Sequence, residues 1–179
     1  VGFVERLLDD LFSSGFELSE AVYNNDGTPS GETNVVHPGV QSDKPLVVIL
    51  ATRNQAVDDA TDAVIRLRRK HGLNELDLIA STVDSWQGQT NGITIAIHPL
   101  TGASELDEFN SAFGRLAVTC TRATHGMLLV SRPGLDELLQ DAPARPGTPF
   151  GEPGNRHLPR QTHLRILSSF ARGTVTVTA

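Results

Sequence analysis

Cysteine is nearly absent from this chain: Cys120 stands alone, so no disulfide can close within it. A lone thiol fits a reducing compartment, and the expectation is a cytoplasmic protein. Long apolar runs are missing too, and no stretch approaches the roughly 18 apolar residues that a spanning helix needs. No membrane association is therefore expected. The opening VGFVERLL has no basic region ahead of a long apolar core, so no signal peptide is expected. The absence of an initiator Met reads as a fragment. A basic excess is also lacking. The net charge of −6 argues against a dedicated nucleic-acid binder, while leaving open a domain that lends part of a groove. Aromatic residues make up 5% of the chain, too few for an extended platform on which bases stack. Finally, no GxxxxGK[ST] sequence occurs, and no acidic pair follows a strand where it would hold Mg²⁺. This chain cannot build a complete nucleotide site of that kind by itself.

What is present is globular. With 39% hydrophobic and 20% charged residues over 179 positions, the chain suits one well-packed domain rather than two. It divides into residues 1–44, 45–140 and 141–179. In the first part Phe3, Val4, Leu7, Leu8, Leu11 and Phe12 repeat at helical spacing, opposite Glu5, Asp9 and Asp10. Residues 24–44 are polar and rich in turn formers, and they read as a long surface connection.

The middle part alternates strands and helices. Residues 46–50 (LVVIL) form an apolar run typical of a strand covered on both faces. Asn54 is the expected cap of the next helix, whose stripe is Val57, Ala60, Val64 and Leu67. Arg68, Arg69 and Lys70 suit its C-terminal dipole, and Gly72 stops it. Strands are expected over 76–83 and 92–97, a helix over 113–123, and a fourth buried strand over 126–130. Pro133 is expected to open a short helix through Leu139. This is the pattern of an open α/β sheet, mostly parallel. Residues 84–91 are short for a full helical crossover, although a single helical turn would suffice. Residues 141–159 are Pro/Gly-rich and read as an irregular linker. A last helix is expected over 161–172, with Leu164, Ile166, Leu167 and Phe170 on its apolar side.

Two places could carry chemistry. Arg115 and Arg122 are seven residues apart, which on one helix puts both on the same face, away from a stripe of Phe113, Leu116, Cys120 and Ala123. Two fixed guanidiniums suit the negative charge that develops on a transferring phosphoryl group. Periodicity alone favours reading them as ordinary surface residues. Ser85, Gln87, Gly88, Gln89, Thr90 and Asn91 fall just past the carboxyl end of a strand, where open α/β sheets bind ligands. Gly88 would let backbone approach a phosphate, or would simply make a polar loop turn. Trp86 either stacks on a base or anchors that turn. Cys120 beside His125 reads as a packed thiol without a catalytic third partner. The six histidines have no paired ligand spacing, so no metal site is expected, and no GxSxG elbow exists.

These blocks also carry a family likeness. TVDSWQGQ, an apolar strand and then GRLAVTCTRATHGMLLV resemble motifs V and VI of superfamily 1 nucleic-acid helicases, in the branch reading TVDxFQGxExD and RxNVAxTRAxxGLxxVG. VVILATRNQAV is similar to the less specific entry of motif IV. The resemblance covers roughly residues 45–140. It implies a RecA-like domain, the second of two that close over ATP, with the P-loop on the first. It implies that Arg122 is the arginine finger and that Arg115 supports the same interface. Gln87 and Gly88 would lie near the phosphates, while Thr82, Ser85, Trp86 and Arg53 would face the nucleic-acid track. The implied partners are an N-terminal P-loop domain and single-stranded nucleic acid, DNA ahead of RNA. ATP and Mg²⁺ would bind only with that P-loop domain. The chain departs from the pattern at three places. Thr90 stands where the family has an acid that contacts the ribose, Ala117 replaces an Asn, and Thr52 precedes Arg53 where a tyrosine is usual. The other reading is a non-catalytic nucleic-acid or protein interaction module that keeps the fold.

Overall fold

The central strand β3 (Val47–Ala51) is buried along its whole length and organises the rest. The computed structural model describes residues 1–40, 43–104, 113–141 and 159–173. Strand β4 (Leu78–Thr82) pairs with one side of β3, and β5 (Asn91–Ile97) with the other. Strand β6 (Ala123–Val130) follows β5, giving a four-stranded sheet in the order β4-β3-β5-β6. All three pairings are parallel. A parallel sheet needs cover on both faces, which is why β3 is a pure run of apolar residues. The chain is thus α/β.

One face of the sheet is covered by α1 (Gly2–Ser14) and α2 (Asn54–His71). Val4 and Leu8 from α1 meet Ala60, Val64 and Leu67 from α2 over Val47, Ile49 and Ile95. Each fully buried side chain of this size contributes about 1.5–3 kcal/mol relative to exposure. The helices run parallel, because Arg66 reaches Glu5 at 2.7 Å while Lys70 and His71 reach Asp9. Helix α2 ends as the sequence indicates: Gly72 adopts a left-handed conformation and its N–H donates to the Arg68 carbonyl. Its start differs. The N-cap is Arg53 with no capping side chain, and Asn54 is already helical.

Residues 24–44 are not merely a surface connection. Strands β1 (Leu18–Tyr23) and β2 (Pro29–Val36) form an antiparallel hairpin, so the turn formers NNDG make its tip. The hairpin is tied down at its base, where Leu18 and Val36 join the core beside Leu46.

Among the described residues the opposite face is covered more thinly. Strands β4 and β5 are not neighbours, so residues 83–90 carry the chain across β3. They do it with consecutive tight turns (Trp86 N–H to Thr82 O, Gln89 N–H to Trp86 O) instead of a full helix. Trp86 and Val83 pack on Val48 and Leu50, with Val118 of α3 (Phe113–Cys120) alongside. Helix α3 stops at Cys120, three residues before the expected end, because β6 begins at Ala123. Among the described residues strand β6 is an edge strand with Leu128 exposed, not the buried strand that its composition indicates. Pro133 sits in a turn ahead of α4 (Leu135–Asp141) rather than inside it. Helix α5 (Pro159–Ser168) packs Leu167 against Leu135, Leu139 and Leu100 beyond the carboxyl end of β5. Its inward residues are His163 and Leu167, whereas Ile166 and Phe170 are only partly covered. The expected linker over 141–159 lies largely outside the described residues. Among the described residues no helix is long and apolar enough to cross a membrane.

Candidate functional site

The crossover at 83–90 and the segment around α3 lie against each other, which joins the two motif blocks in space. The crossover starts at the carboxyl end of β4 with a turn closed by its own hydroxyls. Thr82 Oγ1 donates to Ser85 Oγ at 2.8 Å and accepts the Ser85 N–H at 3.1 Å. Trp86 then dips into the sheet and is only 6% exposed. Its indole N–H donates to Asn91 Oδ1 at 3.1 Å. A buried indole offers no face to a base, so Trp86 is the anchor of the turn and not a stacking platform. Gln87 and Gly88 follow on the surface. Gly88 has φ +83°, the one place in the crossover where the backbone requires glycine, and nothing lies within 4 Å of where a Cβ would be. The peptide there is open to an approaching anion.

Arg115 lies in the first turn of α3 and donates from Nε to both carboxylate oxygens of Asp84, at 3.1 Å each. Arg122 comes after the helix, in the turn into β6. Its Nε donates to the Val118 carbonyl at 3.0 Å, Nη2 to Thr121 Oγ1 at 2.7 Å, and Nη1 to the Gln89 carbonyl at 3.2 Å. Of the five N–H groups that a guanidinium carries, two have no acceptor among the described residues.

The two arginines therefore do not share one helix face. Helix α3 runs opposite to the strands and puts Arg115 beside Asp84 at the top of the crossover. Arg122 lies by Gln89 at the bottom, where β5 and β6 begin. The expected site residues fall into two groups. Gln87, Gly88 and Arg122 gather at the lower half of the crossover. Thr82 and Ser85 stand with Asp84 and Arg115 at the carboxyl edge of the sheet, one strand from Arg53 at the exposed start of α2. Nor is Arg122 a bystander to the fold, since it ties the end of α3 to the crossover.

Asp84 is the participant that the sequence did not single out, and Gln89 and Asn91, expected to face a ligand from the loop, act instead through their partners Arg122 and Trp86. Asn91 is not a loop residue past the strand; it begins β5 and is fully buried. A polar amide heading the apolar run GITIAI was the one available signal. Next to it Gly92 has no room for a side chain: a Cβ would lie 2.7 Å from the Leu46 carbonyl oxygen and against Leu18 of the hairpin. Thr90 is exposed. Cys120 is half-buried, and burial holds its thiol above the usual range. Among the described residues no three His, Cys, Asp or Glu side chains come together as metal ligands.

No protein-family model matches the chain, and no curated protein matches it. The functional reading therefore rests on the motif blocks and on the geometry that joins them.

Proposed function

We propose that this chain is the C-terminal motor domain of an ATP-dependent superfamily 1 nucleic-acid helicase or translocase, with a RecA-like fold. The observation that carries the reading is the seat of Arg122. The second motif block delivers a guanidinium to the Gln89 carbonyl of the first, beside the open peptide at Gly88. Three acceptors hold the head still while two N–H groups remain for a ligand. A preorganised cation of this kind stabilises charge that develops on a phosphoryl group without reorganising at the moment of transfer.

In this reading a P-loop domain of the same protein holds ATP and Mg²⁺ against the lower crossover. Closure brings Arg122 to the transferring phosphoryl group, a contribution on the order of 10³–10⁵ in rate for arginines supplied across an interface. Arg53, Thr82 and Ser85 at the carboxyl edge form part of the track for a single strand, DNA ahead of RNA. Arg115 steadies the upper crossover through Asp84. The expected compartment is the cytoplasm.

The alternative is a non-catalytic interaction module that keeps the fold, and one observation favours it. The crowding at Gly92 leaves no place there for an acid, and Thr90 supplies none. The deciding measurement is single-strand-stimulated ATP turnover by a polypeptide carrying this chain together with its P-loop domain, wild type beside Arg122→Ala. Collapse of turnover in the variant, with nucleotide binding retained, supports the motor. Equal rates, or no turnover in either protein, favour the module.

A further inference from the structure

Asn91 is a fully buried amide at the head of a strand that is otherwise a run of apolar residues and threonine. Burying an amide is unfavourable unless its hydrogen-bonding groups are satisfied. Here they are. Oδ1 accepts the Trp86 indole N–H at 3.1 Å, while Nδ2 donates to the Ile93 carbonyl at 2.8 Å and to Thr94 Oγ1 at 2.9 Å. Its main chain is committed as well: the N–H donates to the Arg122 carbonyl at 3.1 Å, and the carbonyl accepts from Thr124 Oγ1 at 3.1 Å. One residue thus grips the crossover with its side chain and the backbone of Arg122 with its main chain.

Gln89 lies between the two grips. Its N–H donates to the Trp86 carbonyl at 3.2 Å, and its own carbonyl seats Arg122 Nη1 at 3.2 Å. The Trp86–Asn91 hydrogen bond therefore closes a short loop that carries the acceptor on which the guanidinium rests. We propose that Asn91 is the positioning residue for Arg122, fixing its head through Trp86 and Gln89 and its backbone directly. The inference rests on the motor reading above, in which Arg122 does the chemistry. Without the side-chain amide the loop opens at Trp86, the Gln89 carbonyl drifts, and the guanidinium loses its seat while every ligand-facing group stays in the chain.

Turnover and KM for ATP are measured in the polypeptide that carries the P-loop domain, for wild type, Asn91→Ala, Arg122→Ala and the double variant. Asn91→Ala lowers kcat by about 10–100-fold, the cost of misplacing a catalytic group by about 1 Å. Its KM changes far less than its kcat, because the P-loop domain supplies most of the ground-state binding. The double variant turns over like Arg122→Ala alone, since a residue that acts through Arg122 has nothing left to position. A merely structural Asn91 would multiply the two losses, and that result overturns the proposal, as does wild-type turnover in Asn91→Ala. Trp86 is the sole tryptophan of these 179 residues, so a red shift in emission between wild type and Asn91→Ala that is absent between Trp86→Phe and the Trp86→Phe/Asn91→Ala double variant reports the opened loop. Should Asn91→Ala fail to fold, Trp86→Phe keeps an aromatic ring at the position while removing the donor and part of the indole's volume, and it is crossed with Arg122→Ala in the same way. Absence of turnover in wild type overturns the motor reading and this proposal with it; additive losses in an active enzyme overturn this proposal alone.

Discussion

Arg115 Nε sits 3.1 Å from both carboxylate oxygens of Asp84, a residue 31 positions earlier in the chain. Asp84 is 66% exposed and Arg115 29%. Exposed pairs of this kind contribute about 0.2–1 kcal/mol, because water already solvates both charges well. The pair therefore orients the top of the crossover more than it stabilises the fold. Asp84→Ala is expected to lower the thermal midpoint by less than about 4 °C in a chain of this size. A fall of ten degrees or so in a melting curve would make the contact structural instead.

That pairing marks the limit of what the sequence made legible. The sheet was readable because parallel strands are covered on both faces, and LVVIL and ITIAI carry that requirement in their composition. Helix α2 was readable because its stripe and its Gly72 stop are local. The hairpin was not: β1 alternates in burial but places Glu20 among its covered positions, β2 mostly faces water, and NNDG looks like any surface turn, so neither strand carries an alternating apolar pattern. The shared helix face for Arg115 and Arg122 failed because the pull of β6 ends α3 at Cys120. The side-chain pairings Asp84–Arg115, Trp86–Asn91 and His98–His163 are tertiary facts without a local pattern. The expected site residues lie in two groups along one crossover, whereas the pairings that hold them left no trace in the sequence.

Arg122→Ala tests the structural half of that residue's role. The head holds two carbonyls and a hydroxyl, yet it is only partly buried, so water can take over the abandoned acceptors. The expected loss is about 1–2 kcal/mol, a fall of roughly 2–8 °C in the thermal midpoint. Arg122→Lys keeps the charge but cannot span Val118, Thr121 and Gln89 at once, and it should lose nearly as much. A midpoint unchanged in both variants would mean that these bonds do not hold the crossover in solution.

At Gly92 the sign is set by crowding. A Cβ would press on the Leu46 carbonyl oxygen at 2.7 Å, and a carbonyl that already accepts the Ile93 N–H at 2.7 Å just ahead of β3 cannot step aside. Gly92→Ala should therefore destabilise by about 1–3 kcal/mol, as overpacking does. Leu18→Ala relieves the contact with the hairpin but not the one with Leu46, so the double variant should not recover. Denaturant midpoints for the three proteins decide it, and full recovery in the double variant would assign the crowding to Leu18 alone.

His98 and His163 make the fold sensitive to acid in a window of its own. His98 directly follows β5 and is 1% exposed, with Nδ1 accepting the Leu100 N–H at 3.2 Å and Nε2 3.3 Å from Nδ1 of His163 on α5. Burial, and then the neighbouring imidazole, push its pKa from 6.5 down to about 3. The folded protein thus keeps His98 neutral while the unfolded chain takes up a proton below 6.5. Stability is full above that value and falls as the pH drops toward about 3, by at most about 1.4 kcal/mol per pH unit. Carboxylates act later. Glu5, held low by its hydrogen bond with Arg66, contributes stability that is lost only as the pH falls below its ordinary 4.5 and through its lowered folded value. Between pH 6.5 and 4.5 the histidine term therefore stands apart. The thermal midpoint should already decline across that window in wild type, and His98→Asn should flatten the decline while lowering the midpoint at neutral pH. A wild-type midpoint that holds level from pH 7 to about 5 would mean that His98 is protonated, or solvated, at no cost in the folded state.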